Sequence, residues 1–227
     1  MNNFNCIAIE TSTQQGSVAA SYAGRQELRH LAEGQASSRQ IYQLLREMLE
    51  DMNVAVADFS CIAFGCGPGS FTGVRVAASA AQALAYAGAL PVCRVSTLAA
   101  VAAPLLDTSE RVAVCLDARM GEAFTGIYSR DDSGAVVHEL EDCLVKPEQF
   151  RLVDHAPDAL AAGPGWQVWN EMLSGFNGDV LAECRPDATA VMQLADRMFA
   201  DGQTVLAAAA LPNYVRNQVT QQAKTND

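Results

Sequence analysis

Cys6-Ile-Ala-Ile-Glu-Thr-Ser-Thr-Gln-Gln-Gly-Ser-Val-Ala-Ala-Ser-Tyr22 decides the reading of this chain. Cys6 to Glu10 is a short apolar run closed by an acid, the pattern of a buried strand. Thr11 to Gly16 is built from Thr, Ser, Gln and Gly, residues that favour turns over ladders. Ser17 to Tyr22 resumes as a strand, Ala23-Gly24 turns again, and Gln26 to Leu31 is a third strand. The phrase then returns. Val114-Cys-Leu-Asp117 followed by Gly121-Glu-Ala repeats Ile7-Ala-Ile-Glu10 followed by Gly16-Ser-Val. Leu160-Ala-Ala leading to Gly163-Pro-Gly165 repeats Ile62-Ala-Phe-Gly65 leading to Gly67-Pro-Gly69. One strand–hairpin–helix–strand unit used twice predicts an α/β fold of two mixed sheets covered by helices. The expected division is a first subdomain over residues 1–108 and a second over 109–227.

Between these phrases lie the helices. Ser37 to Met52 carries Ile41, Leu44, Leu45, Met48, Leu49 and Met52 at helical spacing, with Ser37 or Ser38 as the cap. Cys61 to Phe64 is a short strand. A glycine loop, Gly65-Cys-Gly-Pro-Gly-Ser-Phe-Thr-Gly73, leads into a second helix over Val74 to Ala87. Pro91 to Val95 reads as a strand and Thr97 to Leu106 as a helix. In the second half, Arg111 to Asp117 and Ala123 to Ser129 pair, and Asp131-Asp-Ser-Gly134 is a hairpin turn. Ala159 to Ala162 is a strand, and Trp166 to Leu173 and Thr189 to Ala200 are helices. The polar tail after Val219 is expected to fray.

Composition narrows the function classes. A net charge of −11 and a pI near 4.6 repel a phosphate backbone, so nucleic acid would be reached only through something else. Lys146 and Lys224 are the only lysines. The seven cysteines are odd in number, contain no C-x-x-C, and mostly sit in apolar runs, as reduced core residues do. His30, His138 and His155 are far apart in sequence, and no metal site is expected. The opening residues show no basic leader, and the longest apolar stretch, Val76 to Cys93, is mostly alanine. A cytoplasmic chain without a membrane span is expected.

Two places could carry chemistry. In the glycine loop, Gly67, Gly69 and Ser70 precede a helix whose first turn holds Arg75, an arrangement that suits an anion. A tight strand-to-helix turn that allows close packing accounts for the same residues. No Gly-Lys-Ser/Thr follows, which excludes a Walker loop. The spacing also fits neither a nucleophile elbow nor a dinucleotide fingerprint. Glu10 and Thr11 end one strand and Asp117 ends its repeat, so two carboxylates could face one cleft. Strand-end hydrogen bonding is the other reading. This pair with the glycine loop leaves a small-molecule phosphotransferase open; a peptidase is a third reading, with no metal-ligand cluster or Ser/His/Asp arrangement to support it.

The second helix is almost without bulk, with Ala77, Ala78, Ala80, Ala81, Ala83, Ala85 and Ala87. Small residues let another helix approach closely. Beside the Ile41–Met52 stripe, it could form a plate for a partner's helices, or both could cover their own sheet. The plate would comprise Ile41, Leu44, Leu45, Met48, Phe71, Val74, Ala77, Ala78, Ala81 and Leu84.

Several stretches resemble the TsaB (YeaZ) family: Cys6-Ile-Ala-Ile-Glu-Thr-Ser-Thr13, Gly67-Pro-Gly-Ser-Phe-Thr-Gly-Val-Arg75, Val95-Ser-Thr-Leu98, Leu116-Asp-Ala-Arg-Met-Gly-Glu122 and Pro212-Asn-Tyr-Val-Arg216. They run in family order over nearly the whole chain. The resemblance implies an actin-like (ASKHA, ribonuclease H-like) fold with no catalysis, no metal and no cofactor of its own. It implies a subunit that binds TsaD, which transfers threonylcarbamoyl to the adenosine beside the anticodon of ANN-decoding tRNAs. TsaE, an ATPase, would complete the assembly, the isolated chain would form a homodimer, and tRNA would be met only indirectly. The docking surface implied is the first two helices. Glu10, Ser37 and Gln43 stand where the family commonly has Asp, His and Pro. The first departure weakens any residual nucleotide role, and the other two fall on or near the docking helix.

Overall fold

The computed structural model describes residues 4–32 and 38–215. The expected cap at Ser37, Arg216 and the tail after Val219 lie outside them. The chain divides into two compact units, Met1–Ala100 with Pro186–Pro212, and Val101–Arg185 with the residues from Asn213.

In the first unit, β1 (Cys6–Glu10), β2 (Ser17–Tyr22) and β3 (Arg25–His30) form an antiparallel meander. β4 (Cys61–Gly65) lies parallel to β1, and β5 (Val92–Val95) parallel to β4, giving the order β3-β2-β1-β4-β5. Parallel neighbours need crossovers. These are α1 (Ser38–Met52) and α2 (Phe71–Gly88). β1 and β4 are buried along their whole length, because both faces of the sheet are covered. Strand alternation then sorts the side chains. Ile7, Ile9, Val18, Ala20, Ile62 and Phe64 share one core with α1 and α2. Cys6, Ala8, Ala19, Cys61, Ala63 and Cys93 form the opposite face, beneath a helix from far along the chain.

That helix is α5 (Ala188–Ala200), which packs Val191, Met192 and Ala195 against the small Cys and Ala residues. Its start is fixed twice. The Asp187 side chain accepts from Ala190 N at 2.9 Å, and the buried Ser17 hydroxyl accepts from Ala188 N at 2.9 Å. Residues 186–212 therefore belong to the first compact unit, whereas a division at residue 108 assigns them to the second half. No local signal in the Thr189–Ala200 pattern says which sheet it covers.

The second unit holds β6 (Arg111–Arg119), β7 (Glu122–Arg130), β8 (Val136–Val145), β9 (Leu160–Ala162) and β10 (Val180–Leu181), in the order β10-β9-β6-β7-β8. Read from the β8 edge and counted within the unit, this is third-second-first-fourth-fifth, as in the first sheet. The repeat read from Ile7–Glu10 and Val114–Asp117 is thus a duplicated sheet. Its helices are not equally kept. Where the first unit has α1, the second has two single 3-10 turns, Pro147–Gln149 and Leu152–Asp154. The expected helix over Trp166–Leu173 is instead α4 (Gly165–Val168) and a separate 3-10 turn at Asn170–Leu173, broken at Trp169. The helix expected over Thr97–Leu106 is α3 (Thr97–Ala102), ending just before Pro104, which disfavours helical geometry in the residue ahead of it. β8 gave no signal beyond its hairpin turn, because His138, Glu139, Glu141 and Asp142 leave no clean alternation. Trp166 fills this unit's core and donates from Nε1 to Ala113 O at 3.2 Å.

Replacing Ser17 with Ala should strand the buried Ala188 amide and cost about 1–3 kcal/mol, read as a lower urea midpoint. An unchanged midpoint would show that α5 is not held by this bond.

Candidate functional site

Glu10 is completely buried at the end of β1. Its Oε1 accepts from Ser12 N at 2.5 Å and its Oε2 from the Thr97 hydroxyl at 3.4 Å. Burial pushes the carboxyl pKa above its ordinary value, against the pull of the Ser12 and Thr97 hydrogen bonds. The nearby Asp187 adds to the upward shift.

Three glycines, four residues apart, make room for this turn. A Cβ on Gly65 would lie 1.7 Å from Glu10 Oε2, one on Gly69 2.6 Å from Ser12 Cβ, and one on Gly73 1.8 Å from Thr11 O. The approach is reinforced by hydrogen bonds. Thr11 Oγ1 donates to Gly73 O at 2.8 Å, and Ser70 N donates to Ser12 O at 2.7 Å. Ser70 caps α2 by accepting from Gly73 N at 3.3 Å, so the helix begins at Phe71, one turn earlier than the Val74 start read from the sequence. Gly67 supplies the left-handed φ of +101° and its carbonyl accepts from Thr97 N at 3.0 Å.

Of the residues read as an anion or nucleotide contact, Glu10, Thr11, Gly67, Gly69 and Ser70 are therefore gathered together and spent on one another. Arg75 turns away: its guanidinium sits 3.2 Å from the Phe71 ring centroid and donates to Phe71 O at 3.2 Å. Asp117, in the second unit, holds its own turn. Its carboxylate accepts from Arg119 N at 2.8 Å and pairs with the Arg119 guanidinium at 3.1 Å. This steadies Arg119, Met120 and Gly121, three successive residues with left-handed φ. Close packing and turn chemistry account for these positions.

The helix faces require a correction. Ile41, Leu45, Met48, Val74, Ala77, Ala78 and Ala81 are buried within the first unit and so do not form the exposed plate read from the sequence. Leu44 and Leu84 are half-buried, and Phe71 is 69% exposed. The apolar stripe read from the sequence was the core face, which is what helical periodicity reports first. Arg29 of β3 fixes the rotation of α1 by pairing with Asp51 at 2.6 Å and Glu47 at 3.8 Å. The outward faces carry different residues. Tyr42, Leu45, Arg46, Leu49 and Glu50 of α1, Asn53 just beyond it and Leu84 of α2 are among the residues lining a groove of about 640 Å³. Tyr86 of α2 is 85% exposed. Tyr42 and Tyr86 were missed, although a bulky aromatic in an otherwise bare alanine helix was a usable signal.

The wider sequence family agrees with this architecture. The family model described as TsaD: tRNA N6-adenosine threonylcarbamoyltransferase matches residues 31–218. An Escherichia coli K12 protein named tRNA threonylcarbamoyladenosine biosynthesis protein TsaB is 34% identical over 222 residues, 94% of this chain and 95% of that one. The chain belongs to the TsaB family. The Haemophilus influenzae TsaB is 31% identical over 231 residues, covering 97% of each chain. Among solved structures, YeaZ from Pseudomonas aeruginosa superposes with a TM-score of 0.83 at 34% identity, over 92% of this chain and 99% of that one. Another Pseudomonas aeruginosa structure, described as an uncharacterized protein with similarity to peptidase YEAZ, gives 0.84 at 33% identity, over 93% and 99%. The actin-like α/β fold expected from the sequence is the fold observed. Among the described residues, no group of three or more His, Cys, Asp or Glu is placed to hold a metal, and no helix is long and apolar enough to cross a membrane.

Because the native pKa of Glu10 is raised, at pH values between the unfolded and the folded pKa the folded chain holds a proton that the unfolded chain has released. Its stability contribution is complete below the ordinary carboxylate pKa and is lost as pH climbs through the raised one. Glu10→Gln should remove that slope and be at least as stable as the parent at about pH 8, by urea titration from about pH 4.5 upward. A constant difference between the two proteins across that range would contradict the assignment.

Proposed function

We propose that this chain is a non-catalytic subunit in the biosynthesis of threonylcarbamoyladenosine on tRNA, and that it acts by binding TsaD through the outward faces of α1 and α2. One observation carries the reading: the loop suited to a ligand phosphate is filled by the chain's own Glu10–Ser12 turn, while the helix it supports turns exposed aromatics to solvent. Catalysis needs an open site with groups free to meet a substrate, and these groups are bonded to each other. Tyr42, Leu49 and Leu84 line the groove, and Phe71 and Tyr86 are exposed elsewhere on α2; aromatic and aliphatic residues of this kind are what interface centres use.

The rest of the reading follows from chemistry. A chain of net charge −11 is suited to meeting tRNA only through the assembly. Since the matching family model is that of TsaD, partner and chain are related in sequence. A second copy of this chain would then compete with TsaD for the same face, giving a homodimer when the partner is absent. TsaE joins the working assembly, and the subunit, which needs no cofactor, works in the cytoplasm.

The correction to the helix faces sets the test. Arginine at Leu45 or Ala81 would bury an unpaired charge and report folding, not docking. Ala83→Arg and Tyr86→Glu change exposed positions and should leave stability within about 0.5 kcal/mol. Both are expected to lose co-purification with TsaD, and a reconstituted mixture containing either should no longer modify tRNA. Intact assembly with both variants would overturn the interface, and full modification by TsaD and TsaE without this chain would overturn the subunit role.

A further inference from the structure

We infer that the Glu10–Ser12 turn works as a strut that sets the position of α2, with Thr11 as the positioning residue for partner binding. The inference rests on the docking reading above and concerns how that face is held.

α2 has little to stop it sliding. Its buried face is mostly small, with Gly73, Ala77, Ala78, Ala80, Ala81 and Ala85; Val74 in the first turn is the one larger side chain fully buried there, and Val76 and Leu84 pack at its edges. Methyl groups fill space but raise no ridges to lock into grooves, so the sheet fixes the height of the helix better than its position along its axis. α1 differs, because Ile41, Leu45 and Met48 interlock with the core and Arg29 grips Glu47 and Asp51. For α2 the constraint must come from its ends. In the C-terminal half, Gln82 Nε2 donates to Ala210 O at 3.2 Å.

At the N-terminal end the grip is tighter. Thr11 Oγ1 reaches Gly73 O at 2.8 Å, Ser70 N reaches Ser12 O at 2.7 Å, and no Cβ fits between Gly73 and Thr11 O. The turn is itself immobilised from below, where Glu10 accepts from Ser12 N and the Thr97 hydroxyl. The chain of contacts therefore runs from Thr97 through Glu10, Ser12 and Thr11 into the first turn of α2. That turn carries exposed Phe71 with Arg75 stacked on it. A shift of the helix by a fraction of a turn would misplace Phe71 and Tyr86 together.

The experiment compares three variants for TsaD affinity by calorimetry and for stability by urea. Thr11→Val removes the hydroxyl with little change of shape, Thr11→Ser keeps it, and Val191→Ala removes core volume beneath α5 on the other sheet face. The expected result for Thr11→Val is a folded chain whose affinity falls on the order of tenfold. Amide exchange should be faster at residues 71–75 and unchanged in the middle of α2. Thr11→Ser should recover the affinity, and Val191→Ala should lose stability while binding normally. Two results would overturn the strut: parent-like affinity in Thr11→Val, or an affinity loss in Val191→Ala matching its stability loss. Normal binding by Ala83→Arg and Tyr86→Glu would instead mark failure of the docking reading itself.

Discussion

The backbone of Thr11 lies so close to the first turn of α2 that even a methyl group at position 73 would collide with it. Much else follows from it. Because the β1–β2 turn lies against the helix start, Glu10 is driven into the interior and must find its partners in Ser12 N and the Thr97 hydroxyl. Because Glu10 occupies that space, Gly65 must be bare. A buried carboxyl with a raised pKa is a stability liability near neutral pH unless its hydrogen bonds hold it. A motif that could cradle an anion is thereby consumed in holding two elements together.

The two units show how one topology can be kept while its coverings diverge. Both sheets have the same strand order. In the second unit, Gly163 and Gly165 crowd Cys115 of β6, echoing the way Gly65, Gly69 and Gly73 crowd the β1–β2 turn. There the echo stops. The first unit retains full-length crossover helices, and the second replaces them with 3-10 turns and the four-residue α4. A helix of four residues offers no extended face for a partner. The difference explains why the candidate interface lies in the first unit, although the sequence phrase that announces the fold occurs in both.

Legibility differed between fold and site for a physical reason. β1, β2, β4, β6, β7, α1 and α5 could be read because apolar runs, alternation and 3.6-residue spacing are local consequences of having a buried face. β10, two residues long, lies below any periodic signal, and β8 carries charges where alternation was expected. The glycine loop was recognised as unusual, yet the sequence left two explanations open. Which one holds depends on what stands opposite Gly69 and Gly73, and that is Ser12 and Thr11, some sixty residues away along the chain.

The sequence by itself determined the duplicated α/β plan, the family, and the existence of α1 and α2, since strand and helix periodicity and the Gly-Pro-Gly-Ser-Phe-Thr-Gly-Val-Arg phrase are properties of neighbouring residues. Tertiary structure alone decided which way those helices face, turning Ile41, Leu45, Met48 and Ala81 inward and leaving Tyr42, Phe71 and Tyr86 outside. It also decided that α5 returns to the first sheet and that Glu10 is sealed. Each of these depends on contacts between residues distant in sequence. Hydrophobic patterning says that a face is buried, but not whether the body that buries it is the chain itself or a partner.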